Sequence, residues 1–142
     1  MSNIKDNKHF CMMPWVHMHM WPAGFTYPCC MSDPDHPIGN TQTQSLQDIW
    51  NGDQMKKIRL NMLKGEPSKE CRRCYELEEN GMHTLRNSSI SNFEHHWDKV
   101  EATSDDGSAG NVNMAYMDIR FSNLCNLKCR SCGPQFSSSW FE

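Results

Sequence analysis

Cys125-Asn126-Leu127-Lys128-Cys129-Arg130-Ser131-Cys132 is the stretch on which the reading of this chain turns. Its three thiols at CxxxCxxC spacing are one ligand short of the four that a structural zinc or a closed iron–sulfur cluster takes. Three ligands from one short loop suggest a cluster with one iron left open to a substrate or cofactor. A helix would place offsets of 0, 4 and 7 on one face, where cysteines can simply be core. The flanks oppose that: Phe121-Ser122-Asn123-Leu124 and Gly133-Pro134 read as a loop following a strand, and the polar residues between the thiols resist burial. A zinc completed by a distant histidine stays open as the other reading, although zinc patterns rest on pairs of ligands.

Working outward, residues 114–121 (MAYMDIRF) read as a strand delivering the chain to this loop, and residues 135–142 read as the start of a helix. Residues 101–111 (EATSDDGSAGN) have the composition of a linker. The organisation expected is therefore a module at 1–100, a linker at 101–113 and a further domain beginning at 114. The whole chain has 142 residues, room for one ordinary domain with a modest core.

Its formal net charge of −3 argues for no nucleic-acid partner. No apolar run approaches the ~20 residues of a membrane span, so no membrane is expected, and the polar residues 1–9 carry no secretory h-region. A cytoplasmic chain is expected. Eight cysteines in such a chain are metal ligands or redox centres rather than disulfides.

Five of the eight precede the linker: Cys11, the Cys29-Cys30 pair, Cys71 and Cys74. Residues 15–21 look like a strand, 22–24 a turn, and 25–27 a return strand. Residues 31–44 read as a loop. Ser45 opens a short helix with Asp48 as capping-box partner, and Asn51-Gly52 close it. Asp53 caps the next helix, which presents Met55, Ile58, Leu60, Met62 and Leu63 and ends at Gly65. A helical turn over 75–80 stops at Gly81, and 84–98 is a weak helix. Four thiols, Cys11, Cys29 or Cys30, Cys71 and Cys74, would cross-link the hairpin, its lead-in and the turn after the helices. Spacing alone leaves zinc, with His17 or His19 able to contribute, level with an iron–sulfur cluster. His83, His95 and His96 read as surface residues, and the tryptophans as packing anchors.

A strand, then CNLKCRSC, then Gly-Pro resembles the radical S-adenosylmethionine (radical SAM) superfamily. Upstream, Cys11-Met-Met-Pro14-Trp15, Gly24-x4-Cys29, Ser45-Leu-Gln-Asp-Ile-Trp50 and Cys71-x2-Cys74-Tyr75 resemble the twitch/SPASM-type auxiliary-cluster module. The resemblance implies an α+β fold: a hairpin-plus-helices module, then the first strand and cluster loop of a truncated α/β barrel. It implies two [4Fe-4S] clusters. Cys11, Cys29, Cys71 and Cys74 would close the auxiliary one, with Cys29 preferred because it satisfies Gly-x4-Cys. Cys125, Cys129 and Cys132 would hold the other, whose fourth iron takes S-adenosylmethionine.

The implied activity is reductive cleavage of that cofactor to a 5′-deoxyadenosyl radical that modifies a peptide or small-molecule substrate. The electron donor would be a flavodoxin or ferredoxin. Ser131 stands where the superfamily often has an aromatic residue near adenine. With one barrel strand of the set that closure needs, the chain as given is expected to be an inactive fragment. The rival from another class is a non-enzymatic zinc-binding interaction module.

Overall fold

Pro14 sets the first element. Its fixed φ and missing N–H suit the opening turn of a helix, and Met13–Val16 (α1) coils, with the His17 N–H donating to Met13 O at 2.9 Å. This turn takes Trp15 and Val16 out of the strand expected at 15–21, so β1 is His19–Met20. The computed structural model describes residues 4–118, 122–134 and 136–141. Gly24, at φ 86°, makes the reversal, and β2 (Phe25–Tyr27) returns antiparallel in the register His19↔Tyr27 and Met20↔Thr26.

A third short strand, β3 (Gly39–Asn40), pairs antiparallel with β2 to give the sheet order β1-β2-β3. The stretch reads as loop because glycine and asparagine carry no strand signal. Packing selects the glycine instead: a Cβ on Gly39 would lie 2.8 Å from Ile49 Cγ1.

The helices follow local rules more closely. Leu46–Trp50 (α2) starts with the Ser45–Asp48 capping box, the Asp48 N–H donating to Ser45 Oγ at 3.1 Å. Asp53–Lys64 (α3) ends at Gly65 in the left-handed region, φ 81°. Its N-cap is Gly52, not Asp53, which sits in the first turn, where its charge suits the helix dipole. Met55, Ile58 and Met62 face the core at helical spacing, while Leu60 and Leu63 are only half-buried.

The fourth residue of that buried face is Arg59, fully buried. Its Nε donates to Pro14 O at 3.0 Å and its guanidinium stacks on the Trp50 ring at 4.7 Å. Arg72–Glu79 (α4) is longer than the expected turn. The weak helix over 84–98 is two, Leu85–Asn92 (α5) and Trp97–Glu101 (α6), parted by a 3₁₀ turn at Glu94–His96. These helices and the sheet make a small α+β fold, and among the described residues no helix is long and apolar enough to cross a membrane.

Residues 101–111, linker-like in composition, are tied to α2 and α3. The Trp50 indole N–H donates to Ala109 O at 3.2 Å, Asn51 Nδ2 to Gly110 O at 2.7 Å, and Lys56 pairs with Asp106 at 2.7 Å. Gly107 is buried at φ 87°, and a Cβ there would meet Lys56 O at 2.6 Å. Gly107→Ala therefore adds backbone strain to a backbone clash. The expected loss is about 1–3 kcal/mol of stability in urea unfolding, whereas Gly110→Ala, with nothing within 4 Å of its Cβ, bears only the conformational strain.

Within 114–118 the expected strand is not formed apart from one parallel bridge, His19↔Asp118. The Ala115 and Tyr116 N–H groups both donate to Val16 O, at 2.9 and 3.1 Å, so the last carbonyl of α1 takes donors that a strand partner would otherwise use. Residues 119–121 of that expectation lie outside the described residues. Of the helix expected over 135–142, the described part holds a 3₁₀ turn at Ser138–Phe141; residues 135 and 142 lie outside the description.

Candidate metal centre

Cys11 lies two residues before α1, Cys29 follows β2, Cys71 precedes α4, and Cys74 lies in its first turn. Pro14 and the Gly24 reversal bring the first two segments together, and the turn at 66–68 returns the chain from α3 to the second pair. All four cysteines line one cavity, whose remaining wall includes Met13, Met31, Tyr75 and Leu85. The surroundings are apolar, and burial is the main force on the thiols. It pushes Cys11 up to about 11 and holds Cys29 and Cys71 well above the usual thiol range, with the charges of neighbouring cysteines adding to the rise. Thiols whose protons are held in this way release them on becoming metal ligands.

Among the described residues no three or more His, Cys, Asp or Glu side chains are arranged to hold a metal ion. Four thiols bordering one apolar cavity are a donor set of the kind that a structural zinc or an iron–sulfur cluster takes.

Cys30 is exposed and does not line this cavity, whereas Cys29 is buried in its wall. His17 and His19 are likewise absent from it. His17 Nδ1 donates to Tyr116 O at 3.0 Å, and His19 Nδ1 faces Asp118 Oδ2 at 2.9 Å. His17 Nε2 is buried without a partner among the described residues, and burial lowers the affinity of the ring for a proton. The unfolded chain then binds a proton that the folded chain refuses. Stability is expected to be retained above about pH 6.5 and to fall below it by up to about 1.4 kcal/mol per pH unit. Urea midpoints measured from pH 8 to pH 5 check this, and His17→Asn, which keeps a donor for Tyr116 O, should flatten the dependence.

Cys125 and Cys132 are half-buried and Cys129 is exposed. The Cys132 N–H donates to Cys129 O at 3.0 Å, so the CxxC end of the motif is a turn. Cys125 is held from behind: its carbonyl accepts from Ser139 Oγ at 2.7 Å and Ser138 Oγ at 3.2 Å, and its N–H donates to Ser138 Oγ at 3.2 Å. Ser137 Oγ donates to Leu127 O at 2.6 Å. The serine run thus fixes the backbone of the loop and leaves its sulfurs uncommitted to that task.

Residues 11–75 match the family model described as SPASM, an iron–sulfur cluster-binding domain. The match supports a SPASM-type, iron–sulfur cluster-binding module over this segment. No curated protein and no solved structure matches the chain. The SPASM match begins at Cys11 and ends one residue past Cys74, so it spans all four cysteines of the cavity.

Side chains beyond the SPASM segment complete the enclosure. Leu85 and Arg86 of α5 line the cavity, and Ser89 Oγ lies 3.3 Å from Cys11 Sγ while accepting from the Met12 N–H at 3.2 Å. Arg86 Nη1 donates to Phe10 O at 2.9 Å, and its Nε is held by both oxygens of Glu78. None of this is readable from cysteine spacing. The one local signal is Thr84 with Asn87 three residues on, a capping-box variant that starts α5, where the Thr84 N–H donates to Asn87 Oδ1 at 2.9 Å.

Proposed function

We propose that the chain is a radical SAM iron–sulfur protein. In this reading Cys11, Cys29, Cys71 and Cys74 hold an auxiliary [4Fe-4S] cluster in the SPASM module. Cys125, Cys129 and Cys132 hold a second cluster with one iron open to S-adenosylmethionine. The observation that carries it is the convergence of four thiols from three separated segments on one apolar cavity, within a segment that matches the SPASM family. When bound, the second cluster and S-adenosylmethionine supply reductive formation of a 5′-deoxyadenosyl radical, with a flavodoxin or ferredoxin as electron donor and a peptide or other biosynthetic molecule as substrate.

The chain's own groups do the positioning. The apolar wall of Met13, Met31 and Leu85 excludes water from the auxiliary site. At the second site, Ser137, Ser138 and Ser139 brace the loop through the carbonyls of Cys125 and Leu127. Leu124, Leu127 and Phe141 are exposed around it, apolar surface of the kind that the body of a barrel covers.

The test is the iron content of the triple variant Cys125→Ala/Cys129→Ala/Cys132→Ala after anaerobic reconstitution. About half the wild-type iron should remain, bound at the auxiliary site. Unchanged iron would remove the second cluster from the account.

A further inference from the structure

Beside the four-cysteine cavity, and sharing Cys29 with it, lies a second pocket of about 240 Å³. One wall is aromatic: Trp21, in the hairpin turn, and Phe136, beyond the CxxxCxxC loop, have ring centroids 5.6 Å apart. The pocket therefore lies between the SPASM module and the segment that carries the other three cysteines. Its volume is below the ~300–1,000 Å³ of most small-molecule sites, which suits one large amino-acid residue better than a whole cofactor.

The polar groups of the lining discriminate further. Tyr27 Oη donates to Pro34 O at 3.0 Å, Ser32 Oγ donates to Glu70 O at 3.1 Å, and His19 is on Asp118. These groups are engaged inside the protein. Arg73 is different: it reaches the pocket from the first turn of α4, is exposed, and has no ion pair among the described residues. Its neighbour Arg72 lies near both Asp33 and Glu76. Among the described residues, none that lines the pocket is an acid. A guanidinium without an ion pair among those residues, at the edge of an aromatic-walled pocket, is complementary to a carboxylate carried on an aromatic body, through a charge-assisted hydrogen bond and ring stacking.

We propose that this pocket anchors a peptide through a carboxylate and an adjoining aromatic side chain, Arg73 taking the carboxylate and Trp21 with Phe136 the ring. As a substrate anchor the assignment rests on the radical SAM reading; as a binding site it does not. The carboxylate can come from the peptide's C-terminus or from an acidic side chain next to the aromatic residue.

The test is calorimetric titration of the reconstituted chain with three probes: N-acetyl-L-tryptophan, N-acetyl-Asp-Trp-amide and N-acetyl-L-tryptophanamide. One of the two carboxylates should bind about tenfold or more tightly than the uncharged amide, and which one does so identifies the source. Arg73→Gln should abolish that preference while keeping wild-type iron, since it removes no cysteine. Equal binding of all three probes, no binding of either carboxylate, or an undiminished preference in Arg73→Gln overturns the proposal. Iron assayed on the same samples separates this failure from failure of the cluster reading. Iron present without the preference sinks only the pocket, and iron absent sinks the cluster assignment whatever the probes do.

Discussion

Changing Cys71 and Cys74 together to serine is expected to remove about four irons per chain and to lower the thermal midpoint by more than about 10 °C. Both effects follow from where the two thiols sit. Cys71 precedes α4 and Cys74 lies in its first turn, while Cys11 and Cys29 reach the same cavity from the lead-in to α1 and the end of β2. A group bound by all four links the hairpin to α4 across more than forty residues of chain, which the short helices cannot do by themselves.

Structural metal sites in small domains contribute on the order of 10 kcal/mol to folding, so the loss of two ligands is a loss of fold as well as of iron. Cys30→Ser is the matched control. Cys30 neighbours Cys29 but is exposed and lies outside the cavity, so iron and midpoint should both stay at wild-type values. A double variant that kept its iron, or a Cys30 variant that lost it, would assign the ligands wrongly.

Trp15→Ala is the second large effect, expected to cost about 3–5 kcal/mol. Trp15 is fully buried, packs beside Phe10 with ring centroids 5.6 Å apart, and donates its indole N–H to Thr103 Oγ1 at 2.7 Å. It thus joins the turn next to Cys11 to the docked segment after α6, and truncation opens a cavity where the site is anchored. For a fold of ordinary stability, ~5–15 kcal/mol, that is a large fraction of the whole.

Trp15→Phe separates the two contributions. It keeps most of the apolar volume and loses the hydrogen bond, so about 1–3 kcal/mol should go. Chemical denaturation of the three proteins under identical anaerobic conditions gives both differences. Similar losses for Ala and Phe would mean that the indole N–H, not the packing, is what matters.

The features legible in the sequence were those specified within a few residues. The Ser45–Asp48 capping box, the left-handed Gly65 and the Gly24 reversal each depend on a local conformational need, and each stands where residue type placed it. Pro14 carried a local signal too, but the alternation of residues 15–21 masked it, and the structure gives a helical turn before a two-residue strand.

What the sequence did not disclose was long-range. Arg59 sits on the buried face of α3 because Pro14 O, 45 residues away, accepts its Nε proton. Gly107 is fixed by Lys56 O, and Ser89 reaches Cys11 from 78 residues away. Composition reads residues 101–111 as a spacer because each residue there is small or polar. The same small size lets Ala109 and Gly110 offer their carbonyls to Trp50 and Asn51. At the candidate site, spacing grouped Cys11, Cys71 and Cys74 with the Cys29-Cys30 pair, but burial, which separates Cys29 from Cys30, is a property of the packed hairpin and not of either residue.

Iron, acid-labile sulfide and zinc per chain, measured on wild-type protein after anaerobic purification and reconstitution, test the central claim most directly. The account predicts about eight irons with matching sulfide and no stoichiometric zinc, four irons for each of the two cysteine groups. Stoichiometric zinc without iron from anaerobic material would contradict it and make the four-cysteine cavity a structural zinc site.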